Sequence, residues 1–323
     1  MTFHLHLPRP IFAAVFLACC AGGLAAQPAA KQQPKQVAPS NTPAVAQPLT
    51  GTLAKIRDTG TITLGTRGAS VPFNYLDDAN KQAGYSWEIA QRVVERVKKD
   101  LKLSNVQVKT MEVTPQTRIP LVANQTLDLE CSSTTHNLER ERQVGFSNTF
   151  FVVGARLLVR KNSGIKYWAD LVGKNVVVSA GTTAERLLRQ ANEKNGWGVN
   201  VLLAKDISEN FLMVETGRAQ AAMQDDVILY GNIARANKPY EWDVVGTPMA
   251  QEAYACMLRK DDAQFKAVVD DVIAKMMKSG EMETLYTKYF LSKINVKGGV
   301  TVGMPVPELM WQLFKNPNDK PFQ

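Results

Sequence analysis

Between positions 130 and 142 the chain reads Glu130-Cys-Ser-Ser-Thr-Thr-His-Asn-Leu-Glu-Arg-Glu-Arg142. Four hydroxyl residues in a row, Ser132, Ser133, Thr134 and Thr135, follow an alternating apolar run (Leu127, Leu129, Cys131) of the kind a half-buried strand carries. Hydroxyl and backbone N–H donors therefore gather at one strand end. Arg140, five residues beyond Thr135, can return its guanidinium to the same spot and complete a clamp for a carboxylate. The plain alternative is a Ser/Thr-rich turn that caps a helix, with Arg140 in a surface ion pair.

Other strand ends carry related chemistry. Arg67 follows the alternating run 61–66, and Arg118 opens a helical stretch after Thr114-Pro-Gln-Thr117. Ser179-Ala-Gly-Thr-Thr183 offers glycine, hydroxyls and a helix start, a good place for an anion. Asp225, after an apolar and small-residue run, is a carboxylate able to receive an ammonium. Singly, each reads as a surface arginine or a helix cap. Three arginines and one carboxylate at converging strand ends would suit a ligand with two carboxylates and one ammonium.

The chemistry that is missing narrows the classes. Of three histidines, His4 and His6 lie in the leader, which leaves His136 alone. A His-based metal centre or a structural zinc site is therefore not expected, and neither is any other metal or cofactor. The chain has no G-x-S-x-G, H-E-x-x-H or C-x-x-C, and Gly65-Thr-Arg-Gly68 lacks the lysine of a phosphate-binding loop.

The elements that would position these residues alternate. A short helix at 53–59 precedes the strand at 61–66 and a loop at 67–73. Ser86 is the expected N-cap of a helix at 87–101, whose Ile89, Ala90, Val93, Val94, Val97 and Leu101 share one face. A strand from Val106 and a helix at 117–124, with Pro120 in its first turn, come next. The apolar run 150–159 suits a strand crossing between lobes. Beyond it, a short helix at 168–172 and strands at 175–178, 199–203 and 244–245 alternate with helices from Ala184, at 208–216 and up to Ala236. The run 253–258 re-enters the first sheet, followed by helices at 262–278 and 281–290 and a short one at 307–314. This is an α/β pattern of two open, mainly parallel sheets with a hinge between them. Lobe one comprises 51–153 plus 254–323, and lobe two 154–253. Ligands of such sheets bind beyond the carboxyl ends of the strands, here between the lobes.

Residues 1–26 have the layout of a cleaved secretory signal: Arg9 without an acid, an apolar core at 11–24, then Ala25 and Ala26. Lipid attachment at Cys19 or Cys20 is the lesser alternative. Residues 27–50, rich in Gln, Pro and Ala, read as a disordered spacer. The full chain carries a net charge of +8; the first fifty residues hold Arg9, Lys31 and Lys35 and no acid, so +5 remains on the rest. That suits an anionic ligand but is no nucleic-acid signature. Beyond the leader only Cys131 and Cys256 remain, an even count in an oxidising compartment, read as one disulfide or as two buried thiols.

The chain resembles the periplasmic solute-binding proteins of ABC amino-acid uptake systems, most closely the glutamate and aspartate binders, over about 52–320. The resemblance is carried by Gly65-Thr-Arg-Gly-Ala-Ser-Val-Pro-Phe73, Thr117-Arg-Ile-Pro-Leu121, the stretch 130–140, Ser179-Ala-Gly-Thr-Thr183, Asp225-Asp226, Glu252-Ala-Tyr-Ala-Cys-Met-Leu-Arg-Lys-Asp261 and Lys315-Asn-Pro-Asn-Asp-Lys320. It implies a type II binding-protein fold, a monomer in the periplasm, and a membrane permease as partner. It implies that Arg140, Thr135 and Thr183 hold the ligand's α-carboxylate and that Asp225 holds its ammonium. Arg67, Arg118 and Ser133 would hold the side-chain carboxylate, and Cys131 would pair with Cys256. Two positions depart from the pattern: Ile207 stands where similar binders have histidine, and Pro115 replaces a hydroxyl. Both leave glutamate, aspartate and glutamine open. The rivals are a dehydratase-like enzyme on the same architecture, with Glu88 or Glu215 as general acid, and a sensor that presents its closed form to a receptor.

Overall fold

The computed structural model describes residues 48–322. The signal-peptide expectation and spacer residues 27–47 lie outside the described residues. Pro48, Leu49 and Thr50 are docked: Gln264 donates to the Pro48 carbonyl and accepts from the Thr50 N–H.

Helix α1 (Gly51–Thr59) leads into strand β1 (Thr61–Thr66). A small sheet of β2 (Ala69–Ser70), β3 (Asn74–Leu76) and β4 (Gln82–Ala83) follows, where the sequence suggested only a loop. Next come α2 (Tyr85–Asp100), β5 (Gln107–Glu112), α3 (Arg118–Ala123), β6 (Leu129–Glu130), β7 (Thr135–His136) and α4 (Leu138–Glu141). Strand β8 (Val144–Arg160) opens the second half, with β9 (Asn175–Ser179), α5 (Thr183–Asn195), β10 (Asn200–Ala204), α6 (Ile207–Glu215), β11 (Ala221–Asp225), α7 (Asp226–Arg235) and β12 (Trp242–Val245). Strand β13 (Gln251–Arg259) returns to the first sheet. Helices α8 (Ala263–Lys278), α9 (Glu281–Tyr286), which runs into a π-helical turn, and α10 (Glu308–Lys315) complete the described chain.

The first sheet has the order β5-β1-β6-β13-β8 and the second β10-β9-β11-β8, with β12 also on β8. The parallel strands β5, β1 and β6 in one, and β10, β9 and β11 in the other, are joined by antiparallel members. Both sheets are thus mixed, because β8 runs antiparallel to its neighbours in each and β13 runs antiparallel to β6 in the first. The change of sheet falls between two neighbours on β8: Gly154 pairs with Gln251 of β13, and Ala155 pairs with Asp225 of β11.

Each lobe has its own core. In the second, period-two alternation sends successive residues to opposite faces. Val176, Val178, Leu157 and Val159 pack with Ala184 and Leu188 of α5, whereas Val177 and Leu158 pack with Met213 and Val214 of α6 and Leu229 of α7. In the first, rings from distant segments interlock: Phe73 lies edge-on to Phe151 (4.8 Å) and Tyr254 (5.2 Å), and Phe290 stacks on Tyr286 (4.2 Å). Such pairs contribute roughly 0.5–1.5 kcal/mol each beyond their buried area. They fix the turn after Arg67 and the base of β13.

Helix α2 buries the expected face but begins at Tyr85, so Ser86 is not its cap. The carbonyls of Pro72 and Phe73 accept the N–H groups of residues 85–87, and the Ser86 hydroxyl lies 3.0 Å from the carbonyls of Phe73 and Cys131. The first turn is capped by tertiary main chain instead of a side chain. A disulfide joins Cys131 and Cys256.

Candidate functional site

The loops at the carboxyl ends of β1, β6 and β9 and the first turns of α3, α5 and α7 meet between the lobes. Arg67 is placed by its main chain: its N–H donates to Asn74 Oδ1 (3.0 Å), and its carbonyl accepts from Gln82 Nε2 (2.7 Å). The small sheet thus pins the backbone and leaves the guanidinium without a protein partner among the described residues. Arg118, at the start of α3, donates through Nη1 to the Ser133 carbonyl (2.8 Å) and Thr134 Oγ1 (2.5 Å). Its Nε is buried with no hydrogen-bond partner. Ser133 is buried beside it, and its hydroxyl meets that of Ser70 at 3.3 Å.

Behind this pair lies Glu130, fully buried, accepting from Thr134 Oγ1 (2.8 Å) and from Ser132 Oγ. Room for it exists because residue 65 is glycine; a Cβ there would come within 2.7 Å of Glu130 Cγ. Burial, and then the charge of Arg118, lowers the pKa of Arg67 to about 10. Two guanidinium groups held close in a dry site repel each other, and an anion between them relieves the strain.

Arg140 spans the lobes. Asn137 caps α4 by accepting from the Arg140 N–H (2.9 Å), and the guanidinium donates to the carbonyls of Thr135 (2.7 Å) and Gly181 (3.3 Å). Burial, with Arg118 nearby, lowers its pKa to about 10 as well. Thr183 begins α5 behind its cap Thr182, and the Thr183 hydroxyl lies 3.4 Å from that of Thr135. Asp225 ends β11, with Oδ2 accepting from Tyr254 OH and Oδ1 buried without a partner. Burial first, and Glu252 next, push its pKa up to about 8.

All seven residues singled out in the sequence therefore converge. Five of them are joined by direct hydrogen bonds to one another's carbonyls or hydroxyls: Arg118 to Ser133, Arg140 to Thr135, and Thr135 to Thr183. Ser70, Tyr254 and Glu252 belong to the same cluster and were given no role. For Glu252 a signal existed: it shares a strand face with Tyr254 and Cys256, where a carboxylate has no place unless it serves one. Ile207, at the start of α6, is buried among residues of the first lobe's core.

The nominated general acids lie elsewhere. Glu88 is held by Lys288 Nζ (2.7 Å) and Tyr289 OH (3.0 Å), and Glu215 is exposed at the end of α6.

The seam between the lobes is close. Gly231 of α7 lies against the Val71 carbonyl, and a Cβ there would sit 2.3 Å from that oxygen.

Comparison with known proteins agrees with this architecture. Residues 62–292 match the family described as bacterial extracellular solute-binding proteins, family 3. The L-glutamate/L-aspartate-binding protein of Pseudomonas aeruginosa is 51% identical over 281 residues, covering 87% of this chain and 93% of that protein. The glutamate/aspartate import solute-binding protein of Escherichia coli is 48% identical over 269 residues, 83% of this chain and 89% of that protein. Among solved structures, a solute receptor for L-cysteine of Neisseria gonorrhoeae aligns with a TM-score of 0.66 at 26% identity, covering 75% of this chain and 94% of that one.

Proposed function

Because this chain belongs to the bacterial extracellular solute-binding proteins of family 3, we propose that it is the periplasmic binding component of an ABC-type amino-acid uptake system, taking glutamate or aspartate between its lobes. The observation that carries this reading is the charge pattern of the cleft: three buried arginines disposed around one buried aspartate with an open oxygen. Arg140, with Thr135 and Thr183, takes the α-carboxylate. Asp225 takes the ammonium, and Arg67, Arg118 and Ser133 take the side-chain carboxylate. The ligand bridges the lobes, favours the closed form, and that form is delivered to a membrane permease.

The energetics suffice. A hydrogen bond to a charged group contributes roughly 1.5–3 kcal/mol, and micromolar affinity requires about 8 kcal/mol. A few such contacts meet this after ordering costs.

Isothermal titration of the ligand-stripped protein with glutamate, aspartate and glutamine tests the reading. Tight binding of both acids with much weaker glutamine is the expected result. Preference for glutamine would assign the selectivity to the apolar side chain of Ile207, and absence of heat with all three would remove the acidic-ligand reading.

A further inference from the structure

Glu252 on β13 is buried, 6% exposed, and stands among the proposed ligand contacts without being one of them. Its Oε2 accepts from the hydroxyls of Thr135 (2.8 Å) and Thr183 (2.7 Å). A threonine hydroxyl has one proton to give. With both protons directed at Glu252, the two hydroxyls have none left for a ligand carboxylate, though each can still accept. Oε1 of Glu252 has no hydrogen-bond partner among the described residues.

The register of β8 relates Glu252 to Asp225. Glu252 pairs with Val153 and Asp225 pairs with Ala155, two residues apart on one strand, so both side chains leave the same face of the ladder. Tyr254 shares that face and reaches Asp225 Oδ2. Each carboxylate thus has one oxygen engaged and the other open. Two such groups cannot both ionise without cost in an empty cleft, and a cation carrying several N–H donors satisfies both.

We propose that Glu252 is a second acceptor for the ligand's α-ammonium, sharing it with Asp225, and that this pair selects α-amino acids over dicarboxylates lacking the amine. The α-carboxylate is then held by Arg140 and by main-chain N–H groups at the start of α5, while the threonine hydroxyls orient Glu252 and accept from the ammonium. This deepens the amino-acid reading above, on which it rests, and moves Thr135 and Thr183 from the α-carboxylate to Glu252 and the ammonium.

The test titrates wild-type protein and Glu252→Gln with glutamate and with glutarate, which has both carboxylates and no amine. Glutamine at 252 is isosteric and still accepts from the threonines, but it is neutral. Glutamate affinity is expected to fall about 10- to 100-fold, as loss of a hydrogen bond to a charged group implies, while glutarate affinity holds or rises. Equal losses for both ligands, or no loss for glutamate, would overturn the assignment. If the wild type prefers another amino acid, the same comparison with that ligand and its des-amino analogue applies, because the ammonium is common to all. In that case the acidic-ligand reading fails and the Glu252 assignment is still decided; a wild type that binds no amino acid overturns both.

A wild-type measurement stands beside the variant in case it does not fold. Asp225 faces Glu252 and Tyr254 on β13, Asp226 next to it, and Arg118 and Arg140 of the first lobe. With its pKa raised to about 8, it keeps most of its proton at pH 7 while the cleft is empty. An ammonium between the two carboxylates displaces that proton. Calorimetry in two buffers of different ionisation enthalpy should show release approaching one proton per glutamate and little with glutarate. No release with either ligand, together with equal affinity for glutamate and glutarate, would overturn the shared site.

Discussion

The two ends of the cleft are built on opposite plans. At the end proposed to take the ligand's side chain, Arg67, Arg118, Ser133 and Glu130 all come from the first lobe, and hydrogen bonds within that lobe hold them. At the end proposed to take the α-amino and α-carboxylate groups, Arg140 and Thr135 come from the first lobe, Thr183 and Asp225 from the second, and Glu252 from the strand that connects them. The hydrogen bonds of one end lie within a single lobe; those of the other cross between lobes. Their charges are also reversed. Crowded guanidinium groups at one end are relieved by an anion, and crowded carboxylates at the other by a cation. An empty closed cleft is penalised twice, so closure is favoured when a ligand supplies both charges.

The largest expected effect comes from breaking the contact that belongs to both lobes. Arg140→Ala removes two charged hydrogen bonds, each contributing roughly 1.5–3 kcal/mol, and should weaken every amino-acid ligand by about a thousandfold or more. Titration that found micromolar binding intact would mean the α-carboxylate is held elsewhere.

Arg118→Ala acts on the single-lobe end only. It should cost glutamate about tenfold or more in excess of its cost to glutamine, since only the acid presents a charge there. Parallel titrations with the two ligands decide it, and equal losses would dissolve the division between the ends.

The smallest effect touches neither end. Gly231→Ala places a Cβ 2.3 Å from the Val71 carbonyl, across the seam. It should lower affinity about tenfold by disfavouring the closed form, leave the melting temperature of the empty protein unchanged, and enlarge the radius of gyration of the ligand-bound protein in small-angle scattering. A fall in melting temperature with unchanged affinity would make Gly231 a packing residue instead of a closure residue.

Much of this was legible in the chain because the signals were local. The face of α2, the buried strand β9 and the hydroxyl run before Arg140 each declare themselves within a dozen residues. The arginines at strand ends could be read together because an α/β sheet brings such ends to one side. What escaped notice depends on distant pairing. The small sheet β2-β3-β4 consists of strands of two or three residues, too short for a periodic signal. The first turn of α2 takes its cap from Phe73, which no motif around Ser86 reveals. Glu252 becomes part of the cleft only through the register of β13 on β8, and Gly231 matters only because α7 meets the loop at Val71.

Strand β13 carries a further consequence. It lies in the interior of the first sheet, between β6 and β8, yet the chain reaches it only after every strand of the second sheet has been made. As the chain emerges into the periplasm from its N-terminal side, the contiguous second lobe can close its sheet while the first still has a gap between β6 and β8. A chain ending near residue 250 would carry all three arginines and still lack Glu252, Tyr254 and the cysteine that partners Cys131. Competence to bind therefore arrives in one late step, and the half of the molecule that presents all three arginines is the half completed last.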